Sequence, residues 1–255
     1  DFDAATLLAW QIELGADEAI QDRPVDRYAL EAAPKTAPTK LTSQSAPRPA
    51  AAPAAVQAPQ VDAVALARAA ARAAPDLGAL RAAMAGFEPC ELRKGARNLV
   101  FGAGALPARV MVIADVPDRD EDREGRPFVG PVGAFFDAMF AAIDLSTDAG
   151  LYVTNVLPWR PPQDRDPTPA EMAMITPFLE RHIALVDPDA LVIMGNGPAA
   201  ALLGKRGINR LRGNWATACG KPALPMQHPK QIQNNPEAKR MAWADLLSLK
   251  AKVLA

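Results

Sequence analysis

At 255 residues the chain is long enough for one sizeable domain plus appendages. Its formal net charge of -1 gives no global basic field, so a nucleic-acid-binding protein of this composition needs a local basic surface. The two cysteines, Cys90 and Cys219, have no CxxC spacing and exclude a disulfide framework or a cysteine-only zinc site. No apolar run reaches membrane-spanning length, and the N-terminus lacks a basic flank followed by an apolar secretory segment. A soluble, cytoplasmic protein with no membrane association is expected.

In chain order, Leu7, Leu8, Trp10, Ile12 and Leu14 predict a short helix within residues 1–32. Residues 33–60 are rich in Ala, Pro, Thr, Ser and Gln and poor in large apolar side chains, the composition of a flexible linker. Lead-in helices are expected over 61–73 and 77–84, and an α/β domain over 87–255. Arg109–Ala114 reads as a buried strand, and Val132, Phe135, Phe136, Met139, Phe140 and Ile143 as one apolar helix face. Leu151–Thr154 is a second strand. Thr168-Pro-Ala-Glu171 is a capping box opening a helix that runs to about Val186. Ala190–Met194 is a third strand, followed by Gly195-Asn-Gly197 and a helix through Leu203. Leu224–Met226 is a fourth, and a last helix follows Pro236 with Trp243, Leu246 and Leu247 facing inward. Lysines and arginines gather late, at Lys205, Arg206, Arg210, Arg212, Lys221, Lys230, Lys239 and Arg240; such a scatter is by itself more often a solvated face.

Strands alternating with helices predict a three-layer α/β/α domain around a central, mostly parallel four-stranded sheet. Ligands bind such sheets beyond the carboxyl ends of the strands, and Asp115, Asn155, Gly195 and His228 all fall there. Between the first strand and its helix, residues 121–133 read EDREGRPFVGPVG. An acidic pair, a glycine turn, Phe128 and a second glycine-bounded turn suit a site that grips a flat ring beside carboxylates. A lone phenylalanine is otherwise a core residue, and a strand-end asparagine a turn former.

Several motifs, in order, carry a resemblance to the uracil-DNA glycosylase superfamily, nearest its bacterial and archaeal family 4. They are EDREGRPFVG (121–130), YVTNVLPWRPP (152–162), RDPTPAE (165–171), RLRGNW (210–215), the His228-Pro229 pair and NPEAKR (235–240). The resemblance covers residue 87 to about 250. It implies a monofunctional enzyme that flips uracil out of DNA and hydrolyses its N-glycosidic bond, as in base excision repair. Phe128 would stack on the base and Asn155 read its edge, since an amide can donate to a carbonyl and accept from an N–H. His228 would contact uracil and stabilise the departing base, with Asp115 and Glu121 the candidate carboxylates for the sugar cation and the water. Asp118, Gly130, Arg212, Lys230, Ile232 and Asn234 would lie along the DNA. Asp120, Asp122 and Glu124 are read as solvated, and His182 as structural.

The chain departs from the family pattern in four places. Family 4 members usually hold a [4Fe-4S] cluster on four cysteines, and the corresponding positions here are Phe87, Cys90, Trp159 and Ile175. One thiolate cannot hold that cluster, so no cofactor and no metal are expected. The usual Gly-Glu-Ala-Pro-Gly is Ala114-Asp-Val-Pro-Asp118, which sets a carboxylate where a bare glycine should approach the nucleotide. After His228-Pro229, the wedge is reduced to Ile232, with Asn234 in the usual arginine position. The N-terminal segment lies outside the shared domain and reads as either a partner-docking element or a loose appendage; a monomer is the default. The other reading is a catalytically weak or inactive relative that binds DNA or a repair partner.

Overall fold

The computed structural model describes residues 62–233 and 235–253. The expected N-terminal helix and the linker lie outside those residues, as does Asn234.

Capping side chains set where the helices begin. Asp62 accepts from the Val64 and Ala65 amides and starts α1 (Ala63–Ala73); Asp76 accepts from the Ala79 amide and starts α2 (Leu77–Ala85). A single turn, α3 (Leu92–Gly95), follows. The sheet then begins with a two-residue edge strand, β1 (Ala103–Gly104), and the buried β2 (Val110–Ala114). Helices α4 (Arg119–Glu124) and α5 (Gly130–Ala141) lead to β3 (Leu151–Asn155). The Thr168/Glu171 capping box forms as expected and opens α6 (Pro169–Val186). β4 (Ala190–Met194), α7 (Asn196–Leu203), α8 (Ile208–Leu211), β5 (Ala216–Ala218), β6 (Lys221–Met226), α9 (Pro229–Ile232) and α10 (Pro236–Val253) complete the domain.

The sheet has six strands in the order β1-β3-β2-β4-β6-β5. The four expected strands form its parallel centre, and the short β1 and β5 pair antiparallel at the two edges. The four expected strands are present, and among the described residues two short edge strands extend the sheet to six. Two- and three-residue strands carry too little alternation to be read from sequence.

Period-two alternation makes both faces apolar. Val110 and Val112 pack with α5 and α10, while Met111 and Ile113 pack towards α6. Helices α1 and α2 continue the second layer through a cluster around Leu80, Phe87, Trp159 and Phe178, so the lead-in helices share a core with α6. Of the three α10 residues expected to face inward, Leu246 does so; Trp243 and Leu247 are exposed, which corrects the expectation for both. Among the described residues no helix is long and apolar enough to cross a membrane.

The topology also places the site. From β2 the chain moves to β3 on one side and then returns to β4 on the other, so the order reverses between β2 and β4. A crevice opens at such a switch point, beyond the carboxyl ends. The register sets Ala114 beside Asn155 and Met194 beside Met226, which aligns Asp115, Asn155, Gly195 and His228 along one rim.

Candidate active site

Asp115, the residue after β2, leans across the switch point onto the turn after β4. Its Oδ1 accepts from the Gly197 amide at 2.8 Å. A Cβ on Gly195 would overlap Oδ2, so only glycine lets the carboxylate settle there. Burial pushes the Asp115 carboxyl up to about 6, the Gly197 N–H opposes this, and nearby Asp166 adds to it.

Asn155 ends β3 and is buried. Its Nδ2 donates to the Asp115 carbonyl at 2.8 Å, which fixes the amide, while its Oδ1 is buried without a partner. A buried acceptor left unpaired costs about 1–3 kcal/mol.

Glu121 is also buried, with both carboxylate oxygens engaged. Oε2 accepts from the Asp118 amide at 2.9 Å and Oε1 from the Phe128 amide at 2.6 Å. Burial pushes it up to about 7, against the lowering effect of those two N–H groups and of the Asn155 amide. Asp118 is the N-cap of α4 and accepts from the Asp120 and Glu121 amides, completing a capping box with Glu121. Its carboxylate is therefore turned onto its own helix.

Phe128 has a positive φ of 49°, held by the Glu121 bond on one side and by α5 on the other. A Cβ on Gly133 would overlap the Phe128 carbonyl oxygen, so α5 presses directly on the Phe128 backbone. The ring stacks on Phe136 (centroids 4.0 Å apart, 12° between planes) and faces the His228 imidazole at 5.4 Å and 19°. His228 caps α9: its Nδ1 accepts from the Lys230 amide at 3.2 Å, which assigns the ring proton to Nε2. Burial, with help from Lys230, lowers its pKa to about 4, so the ring is neutral at physiological pH.

Asp115, Asp118, Glu121 and His228 line one cleft of about 830 Å³, joined by Arg206 and Lys230. Phe128 and Asn155 lie behind that lining, Phe128 against the His228 ring and Asn155 against the Asp115 carbonyl. Five expected residues thus converge: Asp115, Glu121, Phe128, Asn155 and His228. Gly130 opens α5 and is exposed.

Three expectations are corrected. Arg212 turns inward, donating to both Asp245 oxygens at 2.9 and 2.5 Å and to the Met241 carbonyl. Breaking a buried pair leaves its partner uncompensated, so Arg212→Ala is expected to lower stability by about 3–5 kcal/mol, measured by urea unfolding. Ile232 is buried in the core against α5 and α10, not presented as a wedge, because the α9 turn points it down. Asp122 is buried rather than solvated, and its Oδ1 accepts from the Arg97 and Asn98 amides. His182 is structural, as expected: buried, 3.0 Å from the Tyr152 hydroxyl, stacked on Phe101 and pushed by burial down to about 3.

Sequence reasoning misses the Gly195/Gly197 cradle, although a Gly-x-Gly straight after an apolar strand is a visible signal. It leaves Arg206 among a scatter of cations and misses Gln227, the buried amide next to His228 that donates to Asn209. Asp118-x-x-Glu121 is itself a capping pattern in the sequence.

Phe87, Cys90, Trp159 and Ile175 come together as anticipated, all buried in one apolar cluster with Phe178. Burial pushes the Cys90 thiol up, away from the thiolate a metal needs. One thiol among three bulky apolar side chains does not fit a four-cysteine cluster. Among the described residues no group of three His, Cys, Asp or Glu side chains is placed to hold a metal.

A mixed α/β sheet with carboxylates, an amide and a neutral imidazole at its switch point presents a ligand crevice beyond the carboxyl ends of its strands. The chain matches the Uracil DNA glycosylase superfamily over residues 101–247 and belongs to that family. It is 32% identical over 169 residues to the type-4 uracil-DNA glycosylase of Thermotoga maritima, covering 64% of this chain and 86% of that protein. It is 40% identical over 106 residues to that of Archaeoglobus fulgidus (42% and 53%), and 30% identical over 171 residues to that of Sulfurisphaera tokodaii (63% and 77%).

Proposed function

We propose that this protein is a monofunctional uracil-DNA glycosylase that hydrolyses the N-glycosidic bond of a flipped-out uracil. The observation that carries the reading is the buried, unpartnered Asn155 Oδ1, an acceptor awaiting the uracil N–H. The remaining amide proton of Nδ2 serves the adjacent carbonyl oxygen. Phe128 provides the stacking surface, its backbone clamped by Glu121 and α5.

The chemistry divides among three residues. As the bond between sugar and base breaks, its electron pair moves onto uracil, and the neutral His228 donates from Nε2 to the carbonyl oxygen where charge gathers. Water attacks the sugar carbon and gives its proton to Asp115, whose raised pKa suits a general base near neutrality. Asp115 is preferred to Glu121 for this step because both Glu121 oxygens already accept backbone bonds. Glu121 is assigned to holding the Phe128 loop.

The inactive reading leans on Asp118 as a carboxylate facing the nucleotide. Its capping role ties Oδ1 to α4 and gives the carboxylate a local use, although the residue still lines the cleft and its charge reaches His228. The inward-facing Arg212 and Ile232 are not assigned to DNA; Lys230 and Gly130 are, on their exposure beside the cleft. The enzyme is assigned no iron-sulfur cluster, on the packing of Phe87, Trp159 and Ile175 around Cys90. A cytoplasmic monomer is taken as the working unit, with residues 1–32 either a partner-docking element or a loose appendage. The test is incubation with a uracil-containing single-stranded oligonucleotide. Alkali-labile sites at uracil are expected, and none with folded protein in excess overturns the reading.

A further inference from the structure

The cations expected to grip DNA do not all face the cleft, since Arg212 is committed to Asp245 and Met241. The side chains that replace it come from the loop between α7 and α8, Gly204-Lys-Arg-Gly207. This loop is held from below: Asn196 Oδ1 accepts from the Gly207 amide at 3.0 Å and from the Ile208 amide at 2.9 Å. Asn196 belongs to the same turn whose glycines cradle Asp115, so the loop is fixed relative to the site. Its two exposed cations diverge. Arg206 lines the cleft that holds Asp115 and His228. Lys205 lines a second recess of about 360 Å³ on the far side of the loop, with Arg210, Asn214, Trp215 and Thr217.

We infer that the second recess is a binding subsite for the DNA strand flanking the flipped uracil, entered over the Lys205–Arg206 loop. The inference rests on the glycosylase reading for the identity of the strand. Two observations choose a strand over a small anion. The recess pairs cations with an aromatic ring, the combination that tracks a phosphate backbone while a base stacks. Trp215 packs against the core and is fixed by its Nε1 bond to Ser248 Oγ at 2.9 Å, and Lys252, 5.2 Å from its ring centre, covers the ring until a base displaces it. The charge on the cleft then sets the direction. Asp118, Asp120, Asp164 and Asp166 line the cleft too, beside Arg119, Arg206 and Lys230, and Asp120 and Asp164 are paired with Arg123 and Arg160, so the cleft offers no unbroken basic track. The backbone is drawn instead over Arg206 towards Lys205 and Arg210.

The test compares the parent with Lys205→Ala/Arg210→Ala and with the triple variant that adds Arg206→Ala. For a thymine-only single-stranded 15-mer, read by fluorescence anisotropy, the dependence of log affinity on log salt is expected to lose a slope of about 0.7 per cation removed. With a uracil 15-mer, KM is expected to rise about tenfold in the double variant with kcat unchanged. A trinucleotide with central uracil, too short to enter the recess, is expected to react equally with parent and double variant. Unchanged slope and KM in variants of an active enzyme overturn the subsite alone. A parent that binds with the expected slope loss but never releases uracil keeps the subsite and overturns the glycosylase reading.

Discussion

Asn155→Ala is expected to lower kcat/KM for uracil release from single-stranded DNA by about 10²- to 10³-fold while leaving the unliganded protein as stable as the parent, or more so. The two halves of the expectation come from one geometry. The substitution takes the Nδ2 donor from the Asp115 carbonyl and from Glu121, at a cost of about 1–3 kcal/mol, and with it removes the buried Oδ1 that has no partner, which itself costs about 1–3 kcal/mol. The two terms oppose each other in the free protein. In the complex nothing opposes the loss, because the uracil N–H is left unpaired. A structural asparagine would behave the other way, with a fall in melting temperature and a proportionate loss of activity. Activity within threefold of the parent, or a drop of more than about 5 °C in melting temperature with kcat/KM retained on the folded fraction, would remove Asn155 from the base-reading role.

Part of that site is legible in the amino-acid sequence. Four strand ends delivering Asp115, Asn155, Gly195 and His228 to one rim follow from the apolar runs and their spacing, since a buried parallel strand ends where its apolar run ends. The roles within the rim are not legible. Asp115 and Glu121 read alike as carboxylates near a glycine-rich turn. What separates them is which backbone N–H groups happen to face each oxygen, a property of the folded chain. Arg212 and Ile232 mislead for a related reason. Ile232 lies between two glutamines and Arg212 beside a glycine, and only contacts with α10 turn both into the interior. Asp118 lies between these cases. Set against the family pattern it reads as an intrusion on the nucleotide, yet Asp118-x-x-Glu121 spells out a capping box that gives the carboxylate a local use.

The pH dependence of turnover separates Asp115 from Glu121 more sharply than substitution alone. If Asp115 takes the proton from water, it must be ionised, and kcat is expected to rise about tenfold per pH unit below about 6 and level off above. His228, lowered to about 4, stays neutral throughout that range and contributes no second limb. Asp115→Asn is expected to lower kcat by about 10²- to 10⁴-fold and to abolish the acid limb, leaving residual turnover flat between about pH 5 and 8. Glu121→Gln keeps the limb, because its carboxyl serves the Phe128 and Asp118 amides and not the water; its loss falls on KM. Stability supplies an independent check with a definite sign. The folded Asp115 carboxyl holds its proton up to about 6, while the unfolded one releases it near 3.8. Between those values the folded state binds more protons, so this group makes stability fall as pH rises. Asp115→Asn is expected to flatten that part of the stability profile in the same pH window where it removes the acid limb of kcat. A limb that persists in Asp115→Asn and vanishes in Glu121→Gln would exchange the roles of the two carboxylates.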